Sequence, residues 1–361
     1  MKTSILTIAL ILSSLSGCRG HYITANIEND SFSYGPPTDA NYTNGILITA
    51  TRSHDPCSNE QCDNQPLGNI IDGLNIFEPS NEEYESGNAQ SLVTYGIGQE
   101  FWTPDDISDP EIIHDDRPYG GFLNAVLEIN NQHISGIAMG DWAEDKMRSI
   151  KVRVGVIGPY SFAEDVQTIW HEVCACTTPE GWDNQLRSEI GITYSIRQDN
   201  RHFPVALKSS SAPIFDVVSF GEITLGNVYS GIDLGGALRF GHNLPREFMP
   251  DTQLPVLTAL DSNPITNPRV SSDAGFYLYG FIGMEGRLVA RDIFLDGNTF
   301  RDSPHEVDKE YFVNELAFGG VIGWRSYEVT IAFVRRSDQF RSQEKDHRFG
   351  QIKIRFPIKF N

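Results

Sequence analysis

The chain has 361 residues, a formal net charge of −20 and 40% hydrophobic residues. This length fits one large domain or two to three ordinary ones. The acidic balance argues against a nucleic-acid-binding function, because neutralising phosphates requires clustered Lys and Arg. Acidic loops that collect a divalent cation suit such a balance, although solvated acidic loops without a ligand are commoner.

The start of the chain has the features of an export signal. Lys2 supplies a positive charge, and residues 5–12 form an apolar run that small residues follow. The run is too short to span a bilayer as a helix. We expect residues 1–20 to be a cleaved signal peptide and residues 21–361 to form one exported domain. The alternative is a lipoprotein box in which Cys18 is lipidated.

From residue 22 onward, apolar and polar residues alternate along many stretches, and this period of two predicts β-strands. Several stretches reach about ten residues, the length that a tilted strand needs to cross membrane hydrocarbon. We predict twelve strands, at 22–30, 42–52, 91–102, 118–130, 149–157, 186–198, 214–228, 232–241, 275–290, 311–324, 326–336 and 348–360.

Polar residues stand at the facing ends of the first two predicted strands. Asn29 and Asp30 end strand 1 and Thr43 begins strand 2, so the hairpin between them returns all three to the same height. Taken singly, Asp30 near a turn is most often a turn or capping residue, and Thr43 is an ordinary strand residue. Their proximity makes them a candidate site.

The four remaining cysteines form two close pairs. Cys57 and Cys62 flank a polar tetrapeptide, which is a plausible small disulfide loop in an oxidising compartment. A bridge between Cys174 and Cys176 would enclose one residue and demand strained geometry, so we expect it less. Metal binding by this C-x-C is also not expected, because a matching second pair of ligands is missing from the sequence.

The connection 158–185 contains a helical pattern. We predict a short helix that begins near Ser161, with Glu164 completing a capping box. The helix would present Gln167 and His171, four residues apart, on one face. Apolar residues recur at helical spacing along it, at Phe162, Val166, Ile169, Trp170 and Val173.

The last strand shows the alternation most clearly. Every second residue from Ile352 to Phe360 is apolar, and the residues between them include Lys353 and Arg355. A soluble sandwich also alternates, but strand length and charged inward positions favour a barrel with a polar interior. The fold class that we predict is all-β, a closed antiparallel transmembrane β-barrel of about 12 strands with a short helix in an extracellular loop.

The predicted topology assigns each connection to a side of the membrane. If the N terminus lies in the periplasm, the connections after odd-numbered strands are extracellular, at 31–41, 103–117, 158–185, 291–310 and 337–347. Residues 53–90 and 243–273 are then periplasmic. Aromatic residues near strand ends fit interfacial girdles, namely Trp102, Tyr119, Trp324, Tyr327 and Phe360.

Short motifs occur in a fixed order along the chain. They are Glu-Asn-Asp at 28–30, Tyr-Thr-Asn-Gly at 42–45, Asp-Arg-Pro-Tyr-Gly-Gly at 116–121, Gly-Val-Ile-Gly-Pro at 155–159 and Gly-Trp-Asp-Asn-Gln-Leu at 181–186. Each is weak alone, but the ordered set resembles the lipid A 3'-O-deacylase family of Gram-negative outer membranes. Later segments look similar to the same family, at 225–229 and 294–303.

The resemblance implies a twelve-stranded enzyme that removes the 3'-linked acyloxyacyl group of lipid A with the help of Ca²⁺. Matched position by position, Asn29 and Asp30 correspond to the family's Asn-Asp pair, Thr43 to its hydroxyl residue and His171 to its catalytic histidine. Six residues after that histidine, where family members can carry an acidic residue, this chain has Thr177.

Two departures from the family concern neighbouring residues. Glu172 or Glu180 could replace the acidic residue, and the sequence does not choose between them. Basic residues that can contact the sugar core in the family are missing, since residues 103–110 read TPDDISDP. Recognition of the headgroup is therefore expected to differ.

We interpret the candidate residues as a hydrolytic site. Asp30 and Asn29 would hold Ca²⁺, His171 would remove a proton from water, and Asn29 and Thr43 would orient the water or the oxyanion. The expected partners are lipid A or lipopolysaccharide and the outer membrane, with the protein a monomer. The alternatives are an outer-membrane phospholipase with similar chemistry and a non-catalytic porin or adhesion barrel.

Overall fold

The computed structural model describes residues 21–33, 41–53, 68–85, 89–139, 142–204, 213–245, 275–325, 327–344 and 347–358. The predicted signal peptide, Cys18, Cys57 and Cys62 lie outside these ranges. The described strands are β1 His21–Asn29, β2 Asn41–Ser53, β3 Ala89–Thr103, β4 Gly120–Met139, β5 Trp142–Ile157, β6 Glu189–Pro204, β7 Phe215–Gly226, β8 Tyr229–His242, β9 Phe276–Asp292, β10 Phe312–Trp324, β11 Tyr327–Arg336 and β12 His347–Ile358.

The strands form one closed antiparallel barrel. Each pairs with its neighbours in sequence, and β1 pairs with β12 from His21↔Ile358 to Asn29↔Gly350. Closure provides hydrogen-bond partners for the backbone N–H and C=O groups of both terminal strands. A sheet in the hydrocarbon of a membrane requires this, because no water is present to bind exposed edge groups. We call the end that carries the connections after β1, β3, β5, β7, β9 and β11 the upper rim, and the other end the lower rim.

Side chains alternate between the lumen and the outer wall, with the orientation that the sequence predicted. In β11, Glu328 and Thr330 are buried, whereas Val329 and Ile331 are exposed. Charged residues therefore face inward and apolar residues outward, the reverse of a soluble protein and the arrangement of a barrel that sits in lipid. The twelve predicted strands and the all-β fold class are confirmed.

Buried ion pairs pack the lumen near both ends. Near the lower rim, the carboxylate of Asp216 accepts from Arg201 and Arg239, each at 2.6 Å. Near the upper rim, the carboxylate of Glu315 accepts from Arg336 at 2.5 Å. Charges removed from water need such partners, so the pairs stabilise the interior only as complete sets.

Three strands extend farther toward the lower rim than the sequence predicted. β4 reaches Met139, β5 begins at Trp142 and β6 continues to Pro204. The extensions contain charged residues that look like a polar loop in sequence. In the barrel Asp145 and Arg201 face inward, and the carboxylate of Asp145 lies 3.6 Å from the guanidinium of Arg201. Charged residues that form ion pairs in the lumen therefore make these parts of the strands difficult to recognise from the sequence.

Helical segments are short and lie in the connections. The α-helices are α1 Gly68–Leu74, α2 Asn81–Glu85, α3 Ala163–Cys174 and α4 Ile293–Asp296. Three-residue 3₁₀ turns occur at Asp30–Phe32, Pro159–Ser161 and Trp182–Asn184. Among the described residues, no helix combines the length and apolar character that a membrane-spanning helix requires.

The predicted aromatic girdle is correct only in part. Trp324 and Tyr327 are exposed beside the β10–β11 turn at the lower rim. Trp102 is instead buried in the lumen, where its ring stacks on that of Phe294 in α4, with 3.6 Å between the ring centroids. Tyr119 is buried beneath a loop, and Phe360 lies outside the described residues. Strand-end position alone does not decide whether an aromatic ring faces lipid.

Candidate active site

A covered patch lies on the outer wall of the barrel at the upper rim. Glu100 pairs with Arg153 inside the lumen, so the adjacent β3 residues Gln99 and Phe101 point outward. Phe101 is nevertheless only 2% exposed. The cover is the connection after β5, whose Trp182 ring lies 6.1 Å from that of Phe101. This connection bends down over the outside of β3 and β4.

Gly121 allows the connection to lie close to the wall. It faces outward on β4, and a Cβ at this position would collide with Ser161 and Ala163. The amide of Gln99 adds a polar contact from β3, donating to the main-chain oxygen of Ser161 at 2.6 Å. The second glycine of the Pro-Tyr-Gly-Gly motif therefore has a packing function, which the sequence motif alone did not reveal.

The predicted capping box is wrong. Ser161 belongs to the preceding 3₁₀ turn, and Phe162, at φ 58°, is the N-cap of α3 without a side-chain capping bond. The turn after Gly158 directs Ser161 into the contact with the wall, away from the first helical N–H groups. Glu164 instead accepts from the amide of Gln185 at 3.4 Å.

The two faces of α3 differ strongly. Gln167 and His171 are buried on the face toward the wall, as the spacing predicted. Ile169, Trp170 and Val173 are exposed, to between 50% and 76%. An exposed apolar face is costly in water but matches the lipid-facing side chains of the barrel below it. The helix thus covers polar groups and presents an apolar surface outward.

Trp182 fixes the orientation of the Gln167 side chain. Its indole Nε1 donates to Gln167 Oε1 at 2.7 Å, and its ring packs on Tyr119 at 4.9 Å. Because Oε1 is occupied, Gln167 Nε2 is the donor end that remains, and it has no acceptor among the residues that the structure describes. The Gln167 amide is therefore a buried donor available to a ligand.

His171 is held by the main chain that follows its own helix. It is 3% exposed, and its Nδ1 hydrogen-bonds to the main-chain oxygen of Thr177. A carbonyl oxygen only accepts, so Nδ1 must carry the proton, and in the neutral ring Nε2 carries the lone pair. Glu172 and Glu180, the carboxylates considered from sequence, are exposed. The partner of His171 Nδ1 is therefore a backbone oxygen and neither of these two carboxylates.

The segment after α3 is closed by a disulfide between Cys174 and Cys176. Of the two cysteine bridges, this is the one that the sequence made the more doubtful. Between the two cysteines, Ala175 adopts a left-handed conformation at φ 55° and caps the helix through its N–H bond to the oxygen of His171. One enclosed residue in this conformation brings the two sulfurs together.

The β1–β2 hairpin brings its three predicted residues together. Asn29 Nδ2 donates to the main-chain oxygen of Thr43 at 3.0 Å. Its Oδ1 accepts from the N–H of Ser31 at 2.8 Å, so Asn29 also caps the turn that begins at Asp30. Asp30 and Thr43 are buried, with 0% and 2% exposure. A fully buried carboxylate beside an amide and a hydroxyl is a concentrated set of oxygen atoms.

Thr103 joins the hairpin to the covered patch and was not anticipated from sequence. Its hydroxyl hydrogen-bonds to that of Thr43 at 2.7 Å, across the β2–β3 pair. Two residues earlier on the same strand, Phe101 supports Trp182 and, through it, Gln167. Strand β3 therefore lies under both halves of the candidate site, the hairpin and the helix. A threonine in a strand carries no sequence signal for this position.

The hairpin residues fit a hard divalent cation in ligand type. Ca²⁺ prefers carboxylate, amide and main-chain oxygens, and Asp30 with Asn29 supplies the first two kinds. Asn29 Oδ1 already accepts from Ser31, so Asp30 is the stronger ligand of the two. Across the described ranges, no group of three or more His, Cys, Asp or Glu side chains is placed to hold a metal ion. Main-chain oxygens would have to complete the ligand shell.

Other connections brace the upper rim around the site. Arg117 is buried, packs on the ring of Phe340 and donates to Gln339 at 3.0 Å. Burial lowers the pKa of Arg117 to about 10, which leaves it charged at neutral pH. Burial also raises the pKa of Asp116, although main-chain N–H groups oppose the shift. Arg117 of the Asp-Arg-Pro-Tyr-Gly-Gly motif therefore joins the connection after β3 to the connection after β11.

A second brace joins the segment after α4 to the start of β6. The side chain of Asn298 exchanges two hydrogen bonds with the main chain of Arg187, each 2.8 Å long. The carboxylate of Glu189 accepts from the N–H groups of Thr299 and Phe300, each at 3.0 Å. These contacts fix the far end of the connection that carries α3.

Comparison with known proteins identifies the family. The model of the family described as Outer membrane protein LpxR matches residues 4–358, which include the hairpin, α3 and every described strand. The chain belongs to this family. The outer-membrane location in the family's description agrees with a barrel whose outward side chains are apolar.

Solved structures agree on the fold. LpxR from Salmonella typhimurium matches with a TM-score of 0.65 and 20% sequence identity, over 93% of this chain and 99% of that chain. The translocator domain of the autotransporter NalP from Neisseria meningitidis matches with a TM-score of 0.36 and 10% identity, over 98% of this chain and 94% of that chain. The second score is too low to indicate a common arrangement of strands. A search of curated protein sequences finds no match.

Proposed function

We propose that the protein hydrolyses the 3'-linked acyloxyacyl ester of lipid A in the outer leaflet of the outer membrane, with Ca²⁺ held at the β1–β2 hairpin. The observation that carries the proposal is His171, a buried imidazole with a fixed Nδ1, on a helix that covers the outer wall of the barrel. Membership of the LpxR family and the resemblance to lipid A 3'-O-deacylases support the choice of substrate.

The location of the candidate residues suits a lipid substrate. A molecule in the leaflet approaches the barrel from the side, where α3 exposes Ile169, Trp170 and Val173 to hydrocarbon. The acyl chains can pack on these side chains while the polar ester reaches the wall beneath the helix. The lumen is packed with ion pairs at both rims, which argues against an open aqueous pore.

The reaction follows from the protonation state of His171. Nε2 takes a proton from water as the water oxygen attacks the ester carbonyl carbon, and the bond from that carbon to the sugar oxygen then breaks. The imidazolium returns the proton to the departing sugar oxygen, which leaves a free hydroxyl and a carboxylic acid. General base catalysis of this kind is typically worth about 10²- to 10⁴-fold in rate.

Neighbouring groups would stabilise the negative charge on the attacked carbonyl oxygen. Gln167 Nε2 is a buried donor, and Thr43 carries a buried hydroxyl. Asp30, with Asn29 and main-chain oxygens, would hold Ca²⁺, and the bound ion supplies positive charge that polarises the acyl carbonyl. Preorganised donors and charge of this type cost no reorganisation during the reaction.

The test is an assay of the purified protein in detergent. Lipid A with Ca²⁺ should lose the mass of its 3' acyl chains, as read by mass spectrometry, and a chelator should abolish the loss. Restoring Ca²⁺ should restore the loss, whereas Asp30→Asn should lower it because a neutral amide binds the ion less strongly. Unchanged masses, or loss that persists in chelator, would contradict the corresponding part of the proposal.

The second candidate is an outer-membrane phospholipase. It is favoured by the exposed apolar face of α3, which would accept acyl chains from either lipid. The same assay with glycerophospholipids distinguishes the two, because a phospholipase releases fatty acid from them and leaves lipid A intact. The lack of basic residues in 103–110 leaves headgroup contacts to other parts of the rim.

A further inference from the structure

The last residue of α3 and the three residues after it form a compact tail, residues 174–177. The main-chain oxygen of His171 accepts from the N–H groups of Ala175 and Cys176, the latter at 3.0 Å. The oxygen of Thr177 accepts from His171 Nδ1. The disulfide from Cys174 to Cys176 closes this tail covalently. One histidine is therefore held at its main chain and at its ring by the same short segment.

The tail would be a weak support without the disulfide. All four of its residues are exposed, and helix ends with exposed main chain fray readily. Ala175 occupies a left-handed conformation, which is unfavourable for residues other than glycine. A covalent link across Ala175 excludes most other conformations of the main chain. It thereby holds the oxygen of Thr177 against the imidazole.

We propose that the Cys174–Cys176 disulfide is a positioning device that fixes the ring orientation and tautomer of His171. The bridge makes a backbone oxygen do what a buried carboxylate does beside many catalytic histidines. It also makes the site sensitive to thiol reduction, because both sulfurs lie in exposed residues. The effect on hydrolysis rests on the proposed function, whereas the effect on the imidazole can be measured without it.

The experiment replaces the bridge in the full chain with Cys174→Ser/Cys176→Ser. With lipid A, kcat should fall about 10- to 100-fold, because a misplaced base loses its alignment, while KM stays unchanged. Nitrogen-15 NMR of labelled histidine should show His171 protonated at Nδ1 in the original protein and as a mixture of tautomers in the variant. The His171→Asn spectrum identifies the signal among nine histidines.

Two control variants separate the bridge from its neighbours. Thr177→Val removes the hydroxyl but keeps the main-chain oxygen that accepts from His171, so the Nδ1–H signature should be retained. Cys57→Ser/Cys62→Ser removes the other closely spaced cysteine pair of the sequence and should leave both kcat and the tautomer unchanged. A loss of the His171 signature in Thr177→Val would assign the support to the side chain of Thr177 and overturn the proposal.

Chemical reduction of the unaltered protein provides a second measurement if the double variant does not fold. A phosphine gives two electrons to the disulfide and becomes the phosphine oxide, with water supplying the oxygen and the two protons of the new thiols. The tautomer signature and kcat should be lost together and return on reoxidation, also in the Cys57→Ser/Cys62→Ser background.

The outcomes distinguish this proposal from the proposed function. If the bridge is removed or reduced and the Nδ1–H signature persists, the positioning role is overturned, whatever happens to kcat. If the signature is lost but kcat is unchanged, the role in hydrolysis is overturned. If the signature is lost and no form of the protein hydrolyses lipid A, the proposed function fails and the positioning role stands.

Discussion

Single atoms in the site are controlled by residues that have no catalytic chemistry of their own. The carbonyl of Thr177 assigns the proton of His171 to Nδ1, and the indole of Trp182 turns the amide of Gln167. A residue with no side chain, Gly121, lets the helix approach the wall. At the residue scale, the site therefore depends on a main-chain oxygen, an indole N–H and the absence of a side chain, and the fold positions all three.

The contact at Gly121 leads to a prediction. Gly121→Ala places a methyl group against Ser161 and Ala163, which must move α3 away from the wall. We expect hydrolysis of lipid A to fall about 10- to 100-fold, since small displacements of a catalytic base are costly. The barrel itself should remain folded, as judged by heat-dependent migration in gel electrophoresis.

Gly320→Ala is the matched control for this change. Gly320 also lies in a strand, but a Cβ there would meet only the oxygen of Tyr279, at 3.7 Å. Its activity should equal that of the original protein. Full activity of Gly121→Ala would show that the close approach of α3 is not needed.

The sequence allows some of these residue positions to be predicted. The hairpin between β1 and β2 brings Asn29, Asp30 and Thr43 together, and a spacing of four puts Gln167 and His171 on one helical face. Neither the Thr177 oxygen nor Thr103 could be found in this way. Every residue has a main-chain oxygen and many strands have a threonine, so only the three-dimensional structure selects these two.

Helix α3 is the element on which the site depends, and its two faces serve different surroundings. One face covers polar groups on the wall, and the other exposes apolar side chains. The pattern of apolar residues predicted a helix but not which face is outward, because an apolar face can pack against protein or face lipid. The N terminus was predicted incorrectly, since Ser161 is used for wall packing and not for capping.

The outward face of α3 leads to a second prediction. Ile169→Asp places a charge where the side chain is 60% exposed toward the lipid side of the barrel. A charge there should reduce hydrolysis of lipid A in vesicles about tenfold through an unfavourable transfer into the membrane interface. Hydrolysis in detergent micelles, where the surface is more adaptable, should fall less.

The exposed polar residue Glu172 supplies the control on the same helix. Glu172→Gln should leave the rates in vesicles and in micelles unchanged. Equal rates for Ile169→Asp and the original protein in vesicles would contradict contact between this face and the lipid.

For the whole molecule, the alternation of polar and apolar residues decides the architecture. Strands of about ten residues with one charged face close into a barrel in lipid, and this could be predicted because period and length are properties of the sequence alone. The lower ends of β4, β5 and β6 could not, because Asp145 and Arg201 look like loop residues until their pairing between neighbouring strands is known.

The lumen ion pairs lead to a third prediction. Asp216→Asn leaves Arg201 and Arg239 buried with their shared carboxylate neutralised. The free energy of unfolding in detergent, measured by urea titration, should fall by about 3–5 kcal/mol. The partly exposed pair of Lys146 and Glu144 is the comparison, and Glu144→Gln should change it by less than about 1 kcal/mol. Equal effects of the two changes would contradict a desolvated lumen.

The most direct test of the whole account compares lipid A masses for the original protein, His171→Asn and His242→Asn, each in vesicles that contain lipid A and Ca²⁺. His242 is exposed at the lower rim and serves as the control. We predict loss of the 3' acyloxyacyl mass with the original protein and with His242→Asn. His171→Asn should show a rate at least about 10²-fold lower. Unchanged lipid A with all three proteins, or full activity of His171→Asn, would contradict the account.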